Sequence, residues 1–209
     1  MSAQRAIPPS NILAPWAEII PGAGPVTVDA LLTMPDDGWR YEVVEGVLVR
    51  VAGSGKRATQ IGLRLGGRLI AYVEEHNLGV ATGADGVYTF PGAETGLLPD
   101  VGFYVAARDA LVEDEDKPIP FAPDLAAEVV SPSQDASDMA AKVRIYLRGG
   151  TRLAWVLWPA RREVDVWRPK DLRPRYQDMR PSTRLRLGDA LDGEDVVLGF
   201  SYLLADLFR

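Results

Sequence analysis

The sequence predicts an α/β domain in which one mixed central β-sheet is flanked by helices. Three observations carry that prediction. Residues 125–130 form a short, almost continuously apolar run, the pattern of a strand covered on both faces. Helical spacing follows, with Met139, Val143 and Tyr146 on one stripe that opens near Ser137 and stops at Gly149-Gly150. Residues 152–159 and 163–168 then read as a hairpin extending the same sheet.

In chain order, residues 1–25 hold Pro8, Pro9, Pro15, Pro21 and Pro25 with few periodic apolar positions, and read as an N-terminal arm. Residues 26–209 read as one domain. Residues 27–34 resemble a short helix capped by Thr27, and the Pro35 to Gly38 stretch has turn chemistry. Residues 39–51 read as two strands meeting at a tight turn at Glu45-Gly46, with Tyr41 and Val43 on one face and Glu42 and Val44 on the other. Gly53-Ser54-Gly55-Lys56 suggests a phosphate loop, but Arg50 and Arg57 stand where that motif needs Gly and Ser or Thr, which excludes it. Ile61, Leu65, Leu69, Tyr72 and Val73 predict an amphipathic helix over residues 58–75. Its other face carries Arg57, Gln60, Arg64 and Arg68, either a phosphate-binding stripe or a solvated surface. His76 reads as a capping or surface residue at the helix end. Residues 80–90 and 97–105 have strand character, the second entered through Pro99 and Asp100. Residues 196–208 are apolar enough to dock as a short helix.

Composition narrows the chemistry. The 209 residues are 47% hydrophobic, with no cysteine and one histidine. That excludes disulfides, thiolate metal sites and cysteine nucleophiles, and leaves little room for a Ser-His-Asp triad or a histidine-rich metal centre. With no apolar run long enough to span a bilayer and no signal-peptide pattern, a soluble, cytoplasmic protein is expected. The formal net charge is −6, yet residues 161–186 carry nine basic and four acidic side chains. An acidic run at residues 113–116 reads as a solvated loop.

The candidate site rests on charges placed inside apolar patterns. Glu128 interrupts the 125–130 strand and shares a face with Asp124. An ionised carboxylate there calls for a cationic partner. Lys142, at the margin of the following helical stripe, is placed to lean towards it. Glu42 and Asp100 are further acids within strand patterns. Glu42, Asp100, Glu128 and Lys142, each on or beside a strand of one mixed sheet, suit an oxygen-bound Mg²⁺ or Mn²⁺ that keeps several waters. Two plainer readings stand beside this one: an ion pair between Lys142 and Asp138 one helical turn away, or Glu128 salt-bridged inside the fold without function.

Several blocks together, TVDALLTMPDDGWRYEVVEGVLV, LLPDVGFY, PDLAAEVVSPS, DMAAKVRIYLRGGTRLAWVLWP and GFSYLLADLF, resemble the Uma-type restriction endonuclease family over residues 27–209. This family is a branch of the PD-(D/E)XK nucleases. The resemblance implies a restriction-endonuclease-like fold and Mg²⁺-dependent hydrolysis of DNA. It implies Asp100 and Glu128 as metal ligands, Glu42 rather than Glu45 as the further acid, and Lys142 in place of the lysine expected at position 130, where Val130 stands. On a nuclease reading the basic stripe of Arg57, Arg64 and Arg68 is the candidate DNA contact, and by analogy a homodimer would cut both strands. Ala58 occupies a position where the family often has histidine. The alternative is therefore a catalytically weak or inactive nuclease-fold domain that binds nucleic acid or a protein partner.

Overall fold

The computed structural model describes residues 18–19, 25–34, 37–51, 53–90, 92 and 94–209. Most of the expected N-terminal arm lies outside these residues. The strands and helices in chain order are β1 (Glu18–Ile19), β2 (Arg40–Val44), β3 (Val47–Val51), α1 (Lys56–Glu75), β4 (Gly79–Thr82), β5 (Tyr88–Phe90), β6 (Thr95–Leu97), β7 (Val101–Val105), β8 (Leu125–Val129), α2 (Ala136–Arg148), β9 (Leu153–Trp158), β10 (Glu163–Trp167), β11 (Thr183–Leu185), β12 (Ala190–Asp192), β13 (Ser201–Leu203) and α3 (Leu204–Leu207).

The central sheet has the order β11-β10-β9-β8-β7-β4 and is mixed. β8 and β9 run parallel, with α2 as the crossover between them, while the remaining neighbours are antiparallel. Strand alternation divides the β8 side chains between two layers. Leu125, Ala127 and Val129 pack with Ile61, Leu65, Leu69 and Val73 of α1. Ala126 faces the other way, into a cluster with Tyr146 of α2 and with β5 and β6. Glu128 shares that second face.

A separate antiparallel sheet, β1-β3-β2-β6-β5, lies beside the first. The β2–β3 hairpin turns at Glu45 and Gly46, whose φ angles of 52° and 76° are the pair a type I′ turn requires. Two expected strands are divided between the sheets. Residues 80–90 break into β4 and β5, and residues 97–105 break into β6 and β7. The second break falls at Pro99, which has no N–H for a ladder. Glu42 therefore belongs to the smaller sheet and Asp100 and Glu128 to the larger, which corrects the expectation of one shared sheet.

Other elements differ in detail. Residues Val28–Thr33 form a 3₁₀ turn without a side-chain cap from Thr27. α2 begins at Ala136, capped by Asp135, which accepts from the amides of Ser137 and Asp138. Asp138 Oδ2 accepts from the Asp135 amide at 2.8 Å, so it closes a capping box and is not engaged by Lys142. Within the expected arm, Glu18–Ile19 pairs with β3. In the tail, Val196, Val197, Phe200, Leu204 and Leu207 are buried against the α1 layer, although the helix is only four residues long. Trp155, Trp158 and Trp167 are packed in the core. Among the described residues no helix is long and apolar enough to cross a membrane.

Candidate active site

The β7–β8 register pairs Val101 with Ala127 and Gly102 with Ala126. One step further along the same ladder, Asp100 stands across from Glu128. The Val129 amide donates to Asp100 Oδ2 at 2.7 Å, which locks this carboxylate at the strand mouth. α2 then starts from its Asp135 cap and carries Lys142 and Tyr146, one turn apart, on the face that meets Glu128. β2 brings Glu42 from the other sheet, held by the Leu98 amide, which donates to Oε1 at 3.1 Å.

These groups meet around a cavity of about 20 Å³ lined by Arg40, Glu42, Asp100, Glu128 and Lys142. Lys142, expected at the margin of its helical stripe, is only 2% exposed, and Glu42 is equally buried. The Lys142 ammonium lies 2.9 Å from Glu42 Oε1 and 3.0 Å from Glu128 Oε1. Tyr146 donates its hydroxyl to the same Glu128 oxygen at 2.6 Å. Arg40 is the second cation, with Nη1 4.0 Å from Asp100 Oδ1. Its guanidinium also donates to the Ala84 carbonyl.

Three carboxylates thus face two cations in a largely closed space. Burial pushes the Glu128 carboxyl up to about 7 against the pull of Lys142, and Asp100 and Glu42 add to the rise. Burial likewise raises Asp100, although the Val129 amide opposes it. For Lys142, burial favours the neutral amine, but the two carboxylates outweigh it and keep the pKa above the usual lysine value. Lys142 is therefore a cation at neutral pH, a donor and not a base.

The cavity's donor set suits a divalent cation. Glu42 Oε2 is buried without a hydrogen-bond partner, and the donors are hard oxygens from three carboxyl groups. A volume near 20 Å³ admits a water-sized guest. Among the described residues no three acidic or histidine side chains close into a metal cage. A cation bound here would therefore need ligands from outside the protein, as hard divalent ions accept.

The profile of the Uma2 family, described as "Putative restriction endonuclease", matches residues 28–206. The chain belongs to the Uma2 family. A similar solved structure is the "putative nuclease belonging to DUF820" from Anabaena variabilis ATCC 29413, with a TM-score of 0.70, 20% identity, and coverage of 88% of this chain and 98% of that one. That likeness shows a shared fold. Among curated proteins none matches. Uma2 membership supports a nuclease function in general terms.

Sequence reasoning missed Arg40 and Tyr146. Both were within reach: Tyr146 follows Lys142 at i+4, and Arg40 precedes Glu42 at i−2, so each shares its neighbour's face. Arg57, Arg64 and Arg68 lie on α1 and do not line the central cavity. Ala58 sits in the first turn of α1, buried, on the walls of two neighbouring clefts. His76 contacts the Tyr72 carbonyl through Nδ1 and stacks on the Tyr72 ring. Four of the nine basic residues in 161–186 are in ion pairs: Arg168 with Glu194, Arg175 with Asp178, Arg184 with Asp165 and Arg186 with Glu163.

Proposed function

We propose that this Uma2 protein is a Mg²⁺- or Mn²⁺-dependent endonuclease that hydrolyses DNA phosphodiester bonds, acting in the cytoplasm as a homodimer. The observation that carries the reading is the buried Lys142 ammonium between Glu42 and Glu128 in a cavity that also holds Asp100 and remains rich in negative charge. With all three acids ionised the set carries one more negative charge than Lys142 and Arg40 offset, and a further cation would balance it.

Asp100 and Glu128 are the residues that would hold the ion. When bound, the metal supplies Lewis-acid polarisation of the phosphodiester and a more acidic water. The chain's own groups do the rest. Lys142 places a fixed positive charge and an N–H donor at the cavity, suited to orienting the attacking water or to offsetting charge on the phosphorane. Glu42 anchors Lys142 from the second sheet. Tyr146 fixes the Glu128 carboxylate, and the Val129 amide fixes Asp100, so neither acid must reorganise during the reaction. Arg57, Arg64 and Arg68 are proposed to contact the DNA backbone.

The test is conversion of supercoiled plasmid to nicked and linear forms with Mg²⁺ or Mn²⁺. Cleavage by the parent, lost in Asp100→Asn and Lys142→Met, supports the reading. Cleavage that survives both substitutions rejects this site. A homodimer predicts twice the monomer mass in solution by light scattering.

A further inference from the structure

Two clefts lead away from the cavity past the start of α1. The first, about 310 Å³, shares Ser131 and Gln134 with the cavity and reaches Lys56, Arg57 and Arg161. The second, about 390 Å³, shares Lys56, Arg57 and Pro159 with the first and continues to Arg64, Arg162 and Arg209. Six basic residues from α1, the β9–β10 turn and the last residue therefore line two adjoining clefts, together a channel whose inner end shares wall residues with the candidate active site. No Asp or Glu lines either cleft.

The charge in this channel is uncompensated. Among the described residues, none of the six forms an ion pair, whereas Arg168, Arg175, Arg184 and Arg186 nearby all do. Arg161 lies instead over the Trp158 ring at 4.2 Å, which holds its guanidinium at the channel wall. In a chain of net charge −6, acids are plentiful, so their absence here is local.

The first turn of α1 gives an independent indication. A helix N-terminus favours acids and disfavours cations, yet α1 opens with Lys56 and Arg57 and has no acid in its first turn. Gly55 caps it without a side chain, so the leading amides stay open to an anion. Helix stability alone would choose the opposite residues.

We infer that this channel binds successive backbone phosphates of the substrate strand on one side of the scissile bond; the inference rests on the nuclease reading. Lys56 to Arg64 spans roughly 12 Å along the helix, the length of about three to four base-pair rises of 3.4 Å along a duplex axis. Guanidinium groups suit bidentate phosphate contacts. The six cations recognise charge and not base edges, so binding is independent of sequence. Arg68, although spaced with Arg64 on α1, lines neither cleft and lies outside the channel.

The experiment is anisotropy of a labelled DNA duplex in EDTA, where no cleavage occurs, with salt varied from about 50 to 200 mM. Arg57→Ala/Arg162→Ala should weaken binding about tenfold or more and flatten the slope of log affinity against log salt by about 2, equally on two unrelated sequences. Arg175→Ala, whose guanidinium is already paired with Asp178, should bind as the parent does. A parent that fails to bind duplex, a double variant with unchanged affinity and slope, or an equal loss in Arg175→Ala overturns the channel. Channel-dependent binding without any metal-dependent cleavage would uphold the channel and reject the nuclease reading. Asp100-dependent cleavage unaffected by Arg57→Ala/Arg162→Ala would do the reverse.

Discussion

The ammonium of Lys142 sits 2.9 Å from Glu42 Oε1, and this one contact joins a helix packed on the six-stranded sheet to a strand of the five-stranded sheet. The same nitrogen is 3.0 Å from Glu128. All three side chains are buried, and the two carboxylates keep the Lys142 amine charged against the cost of its burial.

Removing the amine should therefore damage fold and activity separately. Lys142→Met leaves two buried carboxylates without their cation, and should destabilise the protein by about 3 to 5 kcal/mol near neutral pH. Lys142→Met/Glu42→Gln removes one of those charges and should recover much of that loss. Cleavage should stay down by about 10²- to 10³-fold in both. Urea denaturation and plasmid nicking read the two effects. Recovery of cleavage in the double variant would show that Lys142 has only a structural role.

The pH dependence has a defined sign. In the metal-free protein the Glu128 carboxyl is raised from 4.5 to about 7, so the folded state holds this proton more tightly than the unfolded chain does. The resulting stability is complete below about pH 4.5 and is lost as pH rises towards 7, by on the order of 3 kcal/mol. Glu128→Gln should remove that slope and be more stable than the parent above about pH 7. Melting temperatures measured across this window in EDTA check it, and parallel curves for the two proteins would refute it.

Much of this arrangement was legible in the sequence, for physical reasons that also mark where reading stops. Glu128 and Lys142 stood out because a charge inside an apolar period needs a partner, and β8 and α2 are local elements whose periodicities are readable. The division of residues 80–90 and 97–105 between two sheets was not readable. Local propensity is the same for one long strand as for two short ones, and only tertiary pairing decides. That is why the separate sheet of Glu42 escaped, although the residue itself did not. Composition shows the 161–186 segment as basic but not how its charge is offset, because one neutralising acid lies outside it, Glu194 for Arg168.

Tyr146 should prove to be a positioning residue. Its hydroxyl donates to Glu128 at 2.6 Å and favours the ionised carboxylate. Tyr146→Phe should weaken Mn²⁺ binding about 10-fold, with a larger loss at pH 6.5 than at pH 8.5, where protons compete less, as about 7 is the Glu128 value. Calorimetric titration at both pH values measures this. Equal losses at the two would indicate a packing effect alone.

Gly102 couples the fold to the site. A Cβ there would stand 2.6 Å from the Tyr88 ring and hydroxyl and 2.7 Å from Thr82 Oγ1, two residues from Asp100 on the same strand. Gly102→Ala should destabilise by about 1 to 3 kcal/mol and lower the melting temperature by roughly 2 to 4 °C per kcal/mol. An unchanged melting temperature would show that Tyr88 and Thr82 yield freely.

The central claim is that acids from two sheets and an amine from α2 converge on one divalent ion. The most direct test is anomalous diffraction from crystals soaked in Mn²⁺. The account predicts a peak between Asp100 and Glu128, bordered by Lys142, that disappears in Asp100→Asn. Crystals of an active, Mn²⁺-dependent protein with no peak at that position, or with one elsewhere, would contradict it.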